Sequence, residues 1–376
     1  MIYPDLIKNK TIFNQFNKII KSNAIPNAFL FYGNQGVGKF AHSIEIAASL
    51  LCKNLINYSS CSECISCKKI KNNQHENIKY ILPETQKNKT NPSLNDNNSM
   101  LTQKLSNPYY DTMENKSSSI SINTIRKIRK KISLGTLDDS WMIHIIINAE
   151  KLCYPRQEAA NALLKMLEEP HEKNLFILCT SNISQILDTI SSRCLKLYFS
   201  NLANQSIEDY LIQTHKLSSE KAKTISNISN GNMILANRIN KIYDVLFTDL
   251  SNGIKIILQN NIHEWINLVG KFPNKNYNFI LILNMLELFF SDIITLQKTN
   301  IEDNIRFKLF IIEMKEYINK YNNANWNKCI NTINNCKINI NKNSSLNSTL
   351  ISLLFELNKN FSKDNFVLDE LENYYL

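Results

Sequence analysis

The sequence predicts an α/β module built on a parallel sheet, followed by a part that is made only of helices. Within residues 1–200, short and almost entirely apolar runs alternate with helical patterns, for example at Trp141–Ile147 and Leu175–Thr180. Such runs are typical of strands that are buried on both faces of a parallel sheet. From residue 201 onward the apolar residues recur at helical spacing, which favours helices throughout.

A phosphate-binding loop follows the first of these strands, in the stretch FLFYGNQGVGKF at Phe29–Phe40. Three of the seven glycines of the chain lie there within six residues. In such a loop, backbone N–H groups and a lysine at the start of the next helix contact phosphate oxygens. We therefore predict a nucleotide site, in degenerate form, at Gly33, Gly36, Gly38 and Lys39.

Both positions that would handle Mg²⁺ in an ATPase of this kind are altered. The complete motif has Ser or Thr after the lysine, whereas this chain has Phe40. The residue after the strand Trp141–Ile147 would be acidic, but here it is Asn148, which lacks the carboxylate that a hard cation prefers. Glu150 lies two residues further on and is a weak substitute. We expect no useful ATP hydrolysis by this chain, and weak nucleotide or phosphate binding stays open.

Four cysteines follow the phosphate-loop helix with the spacing C-x8-C-x2-C-x2-C. This spacing suits a tetrahedral structural Zn²⁺ site, with no open position for catalysis, at Cys52, Cys61, Cys64 and Cys67. The chain has nine cysteines in all and a polar, charged start at Met1–Lys10. We therefore expect a reducing, cytoplasmic location rather than a disulfide framework.

Charge and composition limit the function less sharply. The net charge of +10 and the pI near 9.0 permit contact with nucleic acid, but a solvated basic surface explains them equally well. Ser121–Ser133 is predicted to be a helix with an isoleucine face and basic residues elsewhere, and phosphate contact by these residues is the less favoured interpretation. The apolar stretch Phe279–Leu296 contains Asn284, Glu287, Ser291 and Asp292 and is predicted to be a buried helix rather than a membrane span.

The patterns divide the chain into three predicted domains. Residues 1–200 form the nucleotide-binding-like domain, which contains the zinc module at about 52–82 and a polar insert at 84–119 that we expect to be disordered. Residues 201–244 form a small helical lid, and residues 245–376 form an all-α domain. The last residues of that domain are an acidic, aromatic-ended tail of uncertain order.

Taken together, these stretches resemble the delta prime subunit family of the bacterial DNA polymerase III clamp loader. The resemblance rests on the phosphate loop followed by the cysteine module, on AANALLKMLEEP at Ala159–Pro170 and on SSRC at Ser191–Cys194. It implies an AAA+ module, a helical lid and a helical collar that joins delta, delta prime and three gamma/tau ATPase subunits. It also implies that the assembly loads the β sliding clamp onto primed DNA during replication.

The resemblance further implies a role for the Ser-Arg-Cys motif. Members of the delta prime family are generally non-hydrolysing and supply the arginine of this motif to ATP held by the neighbouring gamma/tau subunit. By this implication Arg193 is an arginine finger that acts in trans, within a motif completed by Ser192 and Cys194. A planar, permanently charged guanidinium suits the charge on a transferring phosphoryl group. The alternative is a structural arginine paired with a local carboxylate such as Asp188.

Two other functions remain open at this point. An active gamma/tau-type clamp-loader ATPase would require an intact GK[ST] motif and an acidic residue at position 148. A zinc-ribbon nucleic-acid-binding protein would require basic and aromatic residues around the cysteines. Lysines are present there, but Tyr58 is the only nearby aromatic residue in the sequence.

Overall fold

The computed structural model describes residues 1–84, 94–110, 118–133, 140–259, 261–270, 277–302, 305–342 and 345–361. The chain forms two compact units, Met1–Asn237 and Arg238–Leu376. The first unit contains a five-stranded parallel sheet with helices, and the described part of the second is helical. The predicted fold class is therefore confirmed, whereas the three-domain division with boundaries after residues 200 and 244 stays a prediction.

Strands and helices alternate along the first unit, as expected for a parallel sheet. In chain order they are α1 (Lys10–Lys21), β1 (Ala28–Gly33), α2 (Lys39–Leu51), α3 (Ile65–Lys71), β2 (Ile78–Ile81), α4 (Leu94–Ser106), α5 (Ile122–Ser133), β3 (Met142–Ile147), α6 (Glu158–Glu168), β4 (Asn174–Thr180), α7 (Asp188–Ser191) and β5 (Leu195–Phe199). Three further helices follow, α8 (Asn204–His215), α9 (Ser219–Ser229) and α10 (Met233–Lys241).

The strand order β2-β3-β4-β1-β5 places β1 between two strands that come later in the chain. All pairings are parallel, so the carboxyl ends of the strands share one edge of the sheet. Ligands of open α/β sheets bind beyond that edge, where the order of the strands switches direction. The loop that follows β1 at Gly33 lies at this position.

Helix α5 has the two faces that its sequence predicts. Its isoleucines Ile125, Ile128 and Ile132 are buried in the core beside Leu163 and Leu167 of α6. The exposed side chains on the same helix include Arg126, Lys127, Arg129, Lys130 and Lys131. The spacing of three and four residues between the isoleucines explains why one face packs while the basic face stays in solvent.

The expectation of a disordered insert at residues 84–119 is wrong for its central part. The insert contains α4, and Leu101, Leu105 and Tyr109 are buried. These three residues recur every four positions, which places the two leucines on one helical face and continues that face into the following turn. The signal is sparse because polar residues surround it, and tertiary contacts supply the stability. Residues 85–93 and 111–117 of the insert lie outside the described residues.

The second unit is a set of packed helices, as predicted. They are α11 (Tyr243–Gln259), α12 (Ile262–Gly270), α13 (Tyr277–Thr299), α14 (Ile311–Lys320), α15 (Trp326–Asn341) and α16 (Leu346–Phe361). Helix α13 is long and apolar enough to cross a membrane by length and composition, but the greater part of its apolar stretch is buried inside the protein. The predicted tail, residues 362–376, lies outside the described residues.

Candidate functional site

The phosphate loop connects β1 to α2 with the backbone conformation that its glycines predict. Gly36 and Gly38 have φ angles of +76° and +87°, in the region that favours glycine. A Cβ atom at Gly36 would lie 1.8 Å from the side-chain oxygen of Asn232, so this position also requires glycine for space. The glycine positions in the sequence therefore predict the backbone conformation of the loop correctly.

The lysine of the loop contacts the loop itself. Lys39 Nζ donates to the carbonyl oxygens of Gly33 at 2.7 Å and Asn34 at 2.6 Å. The cavity beside the loop has a volume of about 60 Å³, whereas pockets for drug-sized ligands occupy roughly 300–1,000 Å³. This cavity has room for a few water molecules and is smaller than a nucleotide.

Phe40 occupies the position of the missing Mg²⁺-binding hydroxyl. The residue is buried, and its ring centroid lies 6.2 Å from that of Tyr80. Lys104 Nζ, from helix α4 of the insert, lies 5.4 Å from the same centroid. An aromatic ring in this environment has no oxygen to offer a metal ion, and the loss of ATP hydrolysis stays a prediction.

The second altered position lies at the end of β3. Asn148 has a left-handed backbone conformation, which asparagine tolerates well, and it lines the same cavity. Glu150 is buried and accepts hydrogen bonds from Thr180 Oγ1 at 2.6 Å and Ser181 Oγ at 3.4 Å. The carboxylate of Glu150 is thus held by hydroxyl groups at the end of β4. These contacts give no support to the idea that Glu150 replaces the acidic residue missing at position 148.

A buried histidine that the sequence did not indicate, His42 of α2, contacts the last glycine of the phosphate loop. His42 Nε2 accepts a hydrogen bond from the backbone N–H of Asn9 at 3.0 Å. The proton of the neutral ring must then be on Nδ1, which donates to the Gly38 carbonyl at 2.8 Å. Burial lowers the pKa of His42 to about 4, so the ring is neutral at physiological pH. Nothing local distinguishes this histidine from other helical residues.

We expect the first unit to lose stability under mild acid because of His42 and His144. Burial lowers the pKa of each side chain to about 4, whereas unfolded histidine titrates near 6.5. Between these values only the unfolded chain takes up the protons, so a stability contribution that is complete above pH 6.5 is lost as pH falls towards 4. Urea denaturation at about pH 7.5 and about pH 5 should show a loss of roughly 2 kcal/mol for each histidine.

A substitution at His144 isolates one half of this effect. His144→Phe keeps a ring against Phe176, which stacks on His144 with centroids 4.7 Å apart. It also removes Nδ1, a buried nitrogen that has no hydrogen-bond partner among the described residues. The variant should reduce the pH-dependent loss of stability by about half. Glu45, whose pKa is raised by burial, is present in both proteins and contributes equally to both pH profiles. An unchanged pH profile would show that His144 does not contribute.

The four predicted metal ligands lie together in the structure. Their sulfur atoms all lie within 4.8 Å of one another, and Cys52 and Cys64 are 3.9 Å apart while Cys61 and Cys67 are 4.0 Å apart. A sulfur tetrahedron with Zn–S bonds of about 2.3 Å has edges of about 3.8 Å. The cluster could therefore hold a metal ion, and its dimensions are compatible with zinc.

Backbone groups around the cluster favour thiolate sulfur. The N–H groups of Cys61, Cys64 and Cys67 point to the sulfurs of Cys52, Cys61 and Cys64 at 3.3, 3.3 and 3.5 Å. Hydrogen bonds from backbone N–H groups lower the pKa of Cys61. Such N–H···S contacts orient thiolate ligands and stabilise their charge. The cluster also contacts the start of the chain, where the amino group of Met1 donates to the Ser60 carbonyl at 3.1 Å.

Replacing one ligand should abolish metal binding and destabilise the first unit. We expect Cys64→Ser to reduce the zinc content from about one ion per chain to a small fraction, because structural zinc binding needs the complete ligand set. Metal analysis of the purified chain and a thermal melt measure both effects. Cys153→Ser, at a half-buried cysteine outside the cluster, is the matched control. Equal zinc content in the two variants would contradict the assignment.

The Ser-Arg-Cys motif lies at the surface between α7 and β5. The side chain of Arg193 is 37% exposed, and its guanidinium binds Glu168 Oε1 at 2.8 Å and the Thr189 carbonyl at 2.9 Å. The carboxylate partner is therefore Glu168, at the end of α6, and not Asp188 as the sequence suggested. Ser192 Oγ also donates to Thr189, and Cys194 is half-buried with a pKa raised to about 11 by burial.

The register of the sheet separates Arg193 from the phosphate loop of its own chain. Phe29 pairs with Leu195 and Gly33 with Phe199, so β5 begins where β1 begins. Arg193 precedes β5 and the phosphate loop follows β1. Arg193 therefore lies at the amino ends of these strands, and the phosphate loop lies at their carboxyl ends. The strands between them span roughly 15 Å. Arg193 and the phosphate loop therefore do not form one site within this chain.

Comparisons with known proteins agree on one family. A family profile described as "DNA polymerase III, delta subunit" matches residues 8–203. DNA polymerase III subunit delta' of Bacillus subtilis is 24% identical over 310 residues, which cover 79% of this chain and 80% of that protein. The delta' subunit of Buchnera aphidicola subsp. Schizaphis graminum is 27% identical over 363 residues, with coverage of 93% and 94%.

Gamma and tau subunits are also similar to this chain. The gamma subunit of Buchnera aphidicola subsp. Acyrthosiphon pisum is 25% identical over 209 residues, which cover 56% of this chain and 48% of that subunit. A solved structure of a gamma subunit-related protein from Thermotoga maritima is 16% identical and covers 93% of this chain and 99% of its own, with a TM-score of 0.40. The family profile and the related sequences therefore identify the family without separating the kinds of subunit.

Proposed function

Because this chain belongs to the DNA polymerase III delta subunit family, we propose that it is the non-hydrolysing, delta-prime-type subunit of a clamp loader. The chain is a clamp-loader-family subunit that functions in DNA replication. The finer assignment concerns what it does with ATP. In the proposal it hydrolyses none itself and contributes Arg193 to the ATP of a neighbouring subunit.

The absence of hydrolysis is supported by the two residues beside the phosphate loop. Phe40 is a buried ring where a hydroxyl would hold Mg²⁺, and Asn148 has an amide where a carboxylate would stand. Without either group, a bound Mg²⁺ would lack its usual protein ligands at both ends of the site. Loss of both positions together favours a chain that binds ATP weakly or not at all.

The observation that carries the trans role is the position of Arg193. It is exposed beside β5, the outermost strand on that side of the sheet. It lies at the amino ends of the strands, whereas its own phosphate loop lies at their carboxyl ends. A guanidinium there can contact phosphate only if another subunit presents it. Its ion pair with Glu168 is also half-exposed, and such pairs contribute only about 0–1 kcal/mol, so a stronger partner can displace it.

The proposed partners follow from this role. A gamma/tau-type ATPase subunit presents its nucleotide to Arg193, and the helices of the second unit serve as a collar that joins the subunits. Delta, the β sliding clamp and primed DNA are reached through the complex, in the cytoplasm. The cysteine module holds structural Zn²⁺ and stays outside the chemistry.

Hydrolysis assays on the chain alone and on a reconstituted complex test the proposal. The chain alone should show no ATP turnover, whereas a complex of gamma/tau and delta should hydrolyse ATP faster with the chain than without it when clamp and primed DNA are present. Turnover by the isolated chain would instead support the gamma/tau-type ATPase. Salt-dependent DNA binding by a chain that fails to assemble would support a zinc-ribbon nucleic-acid-binding protein.

A further inference from the structure

We propose that residues 101–109 of the insert, here called the plug, close the phosphate loop against nucleotide. This inference rests on the proposed function, because both concern the same loop. Besides the loss of metal ligands, the plug is a physical barrier to nucleotide binding. The plug comprises the last turns of α4 and the turn that follows. In this proposal the chain itself, rather than a ligand, fills the space beside the loop.

Hydrogen bonds and a ring contact anchor the plug at Lys104 and Tyr109. The hydroxyl of Tyr109 accepts from the backbone N–H of Ile7 at 2.9 Å, and its ring meets that of Tyr210 edge-on at 5.5 Å. The hydroxyl of Tyr3 donates to the carbonyl of Lys104 at 3.2 Å. Two separate parts of the first unit therefore hold the plug: the start of the chain and α8.

The plug forms one wall of the phosphate-loop cavity. Lys104, Pro108 and Tyr109 of the plug line this cavity together with Gly36, Gly38 and Lys39 of the loop. Only about 60 Å³ remains between the walls. A nucleotide triphosphate needs several times that volume, so it can enter only if the plug moves away.

Phe40 explains how the plug and the altered motif are connected. Lys104 is 9% exposed, and its ammonium group lies over the Phe40 ring, in a cation–π contact that a Ser or Thr at this position would not offer. Lys104 and Phe40 line the same cavity as the phosphate loop, and a positive charge there disfavours a second cation. One substitution in the motif thus removes a metal ligand and creates the contact that holds the plug.

Binding of a fluorescent ATP analogue to the full-length chain tests the plug. The double variant Phe40→Thr, Asn148→Asp restores both metal-handling groups and keeps the contacts of Tyr109 with Ile7 and Tyr210, and adding Lys104→Ala and Tyr109→Ala loosens the plug further. We expect the loosened variant to bind Mg²⁺ and the analogue about tenfold or more tightly than the double variant, because affinity scales with the fraction of open loop. Equal affinity in the two variants would overturn the inference.

A milder change covers the case in which the multiple variant does not fold. Tyr109→Phe keeps the ring and removes only the hydroxyl that anchors the plug to Ile7. Cys179, a buried thiol on the cavity wall, should then be alkylated faster than in the wild-type chain, as followed by peptide mass spectrometry. Tyr154→Phe, at an exposed tyrosine, is the matched control, and the buried Cys329 is the internal reference. Equal rates for Cys179 would overturn the inference.

The outcomes separate this inference from the proposed function. If Arg193 proves irrelevant to hydrolysis in the complex while plug variants gain nucleotide, the proposed function fails and the plug stands. If the double variant binds nucleotide as tightly as the loosened variant while the complex still requires Arg193, the plug fails and the proposed function stands.

Discussion

Replacing Arg193 with alanine is expected to reduce ATP hydrolysis at the neighbouring subunit by about 10³-fold, the lower range for an arginine finger. The guanidinium would lose its contact with charge on the transferring phosphoryl group. Because the other ATPase sites of the complex keep their own arginines, total turnover should fall at least by the share of the affected site. Single-turnover hydrolysis in the reconstituted complex, with clamp and primed DNA, measures the effect.

Three comparisons separate a finger from a structural arginine. Arg193→Lys keeps the charge but loses the planar fork, and it should recover little of the rate. Arg156→Ala removes another exposed arginine that pairs with a glutamate, Glu158 at 3.8 Å, and should leave the rate unchanged. Thermal unfolding of the Arg193→Ala chain should change little, because its ion pair with Glu168 is half-exposed. A wild-type rate in Arg193→Ala would make the arginine a structural residue.

Asp292→Ala is expected to destabilise the second unit by about 3–4 kcal/mol, the largest stability effect that we predict. Asp292 is 1% exposed on α13 and accepts hydrogen bonds at 2.9 Å from three groups, the N–H groups of Arg306 and Phe307 and the Arg306 guanidinium. Alanine would leave two backbone donors and a cation without their acceptor. Arg306 is 35% exposed, so water relieves part of the cost.

Denaturant unfolding followed by tryptophan fluorescence measures this loss, since Trp265 and Trp326 both lie in the second unit. Glu302→Ala is the matched control, because its ion pair with Lys315 joins side chains that are both about half exposed. That variant should change stability by less than about 1 kcal/mol. If the two variants were equally stable, the buried carboxylate would not organise the turn between α13 and α14.

A structural feature is predictable from this sequence when the residues that specify it lie close together in the chain. The phosphate loop, the cysteine cluster and the isoleucine face of α5 were each predictable, because every one is specified within about twenty residues. The insert was not, since Leu101, Leu105 and Tyr109 are too few to indicate a helix without the surfaces that receive them. His42 gave no signal either, because its role depends on Asn9, 33 residues away.

The sequence by itself determined the α/β class, the four cysteines of one cluster and the absence of a hydroxyl at position 40 and of a carboxylate at position 148, because spacing and residue type express these directly. Only the tertiary structure decided the surroundings of each group. It paired Arg193 with Glu168 and placed the arginine at the sheet edge away from the phosphate loop. It also placed Lys104 over Phe40. These contacts join residues 25 to 64 positions apart in the chain, and no local pattern specifies them, since they depend on how the strands and helices pack.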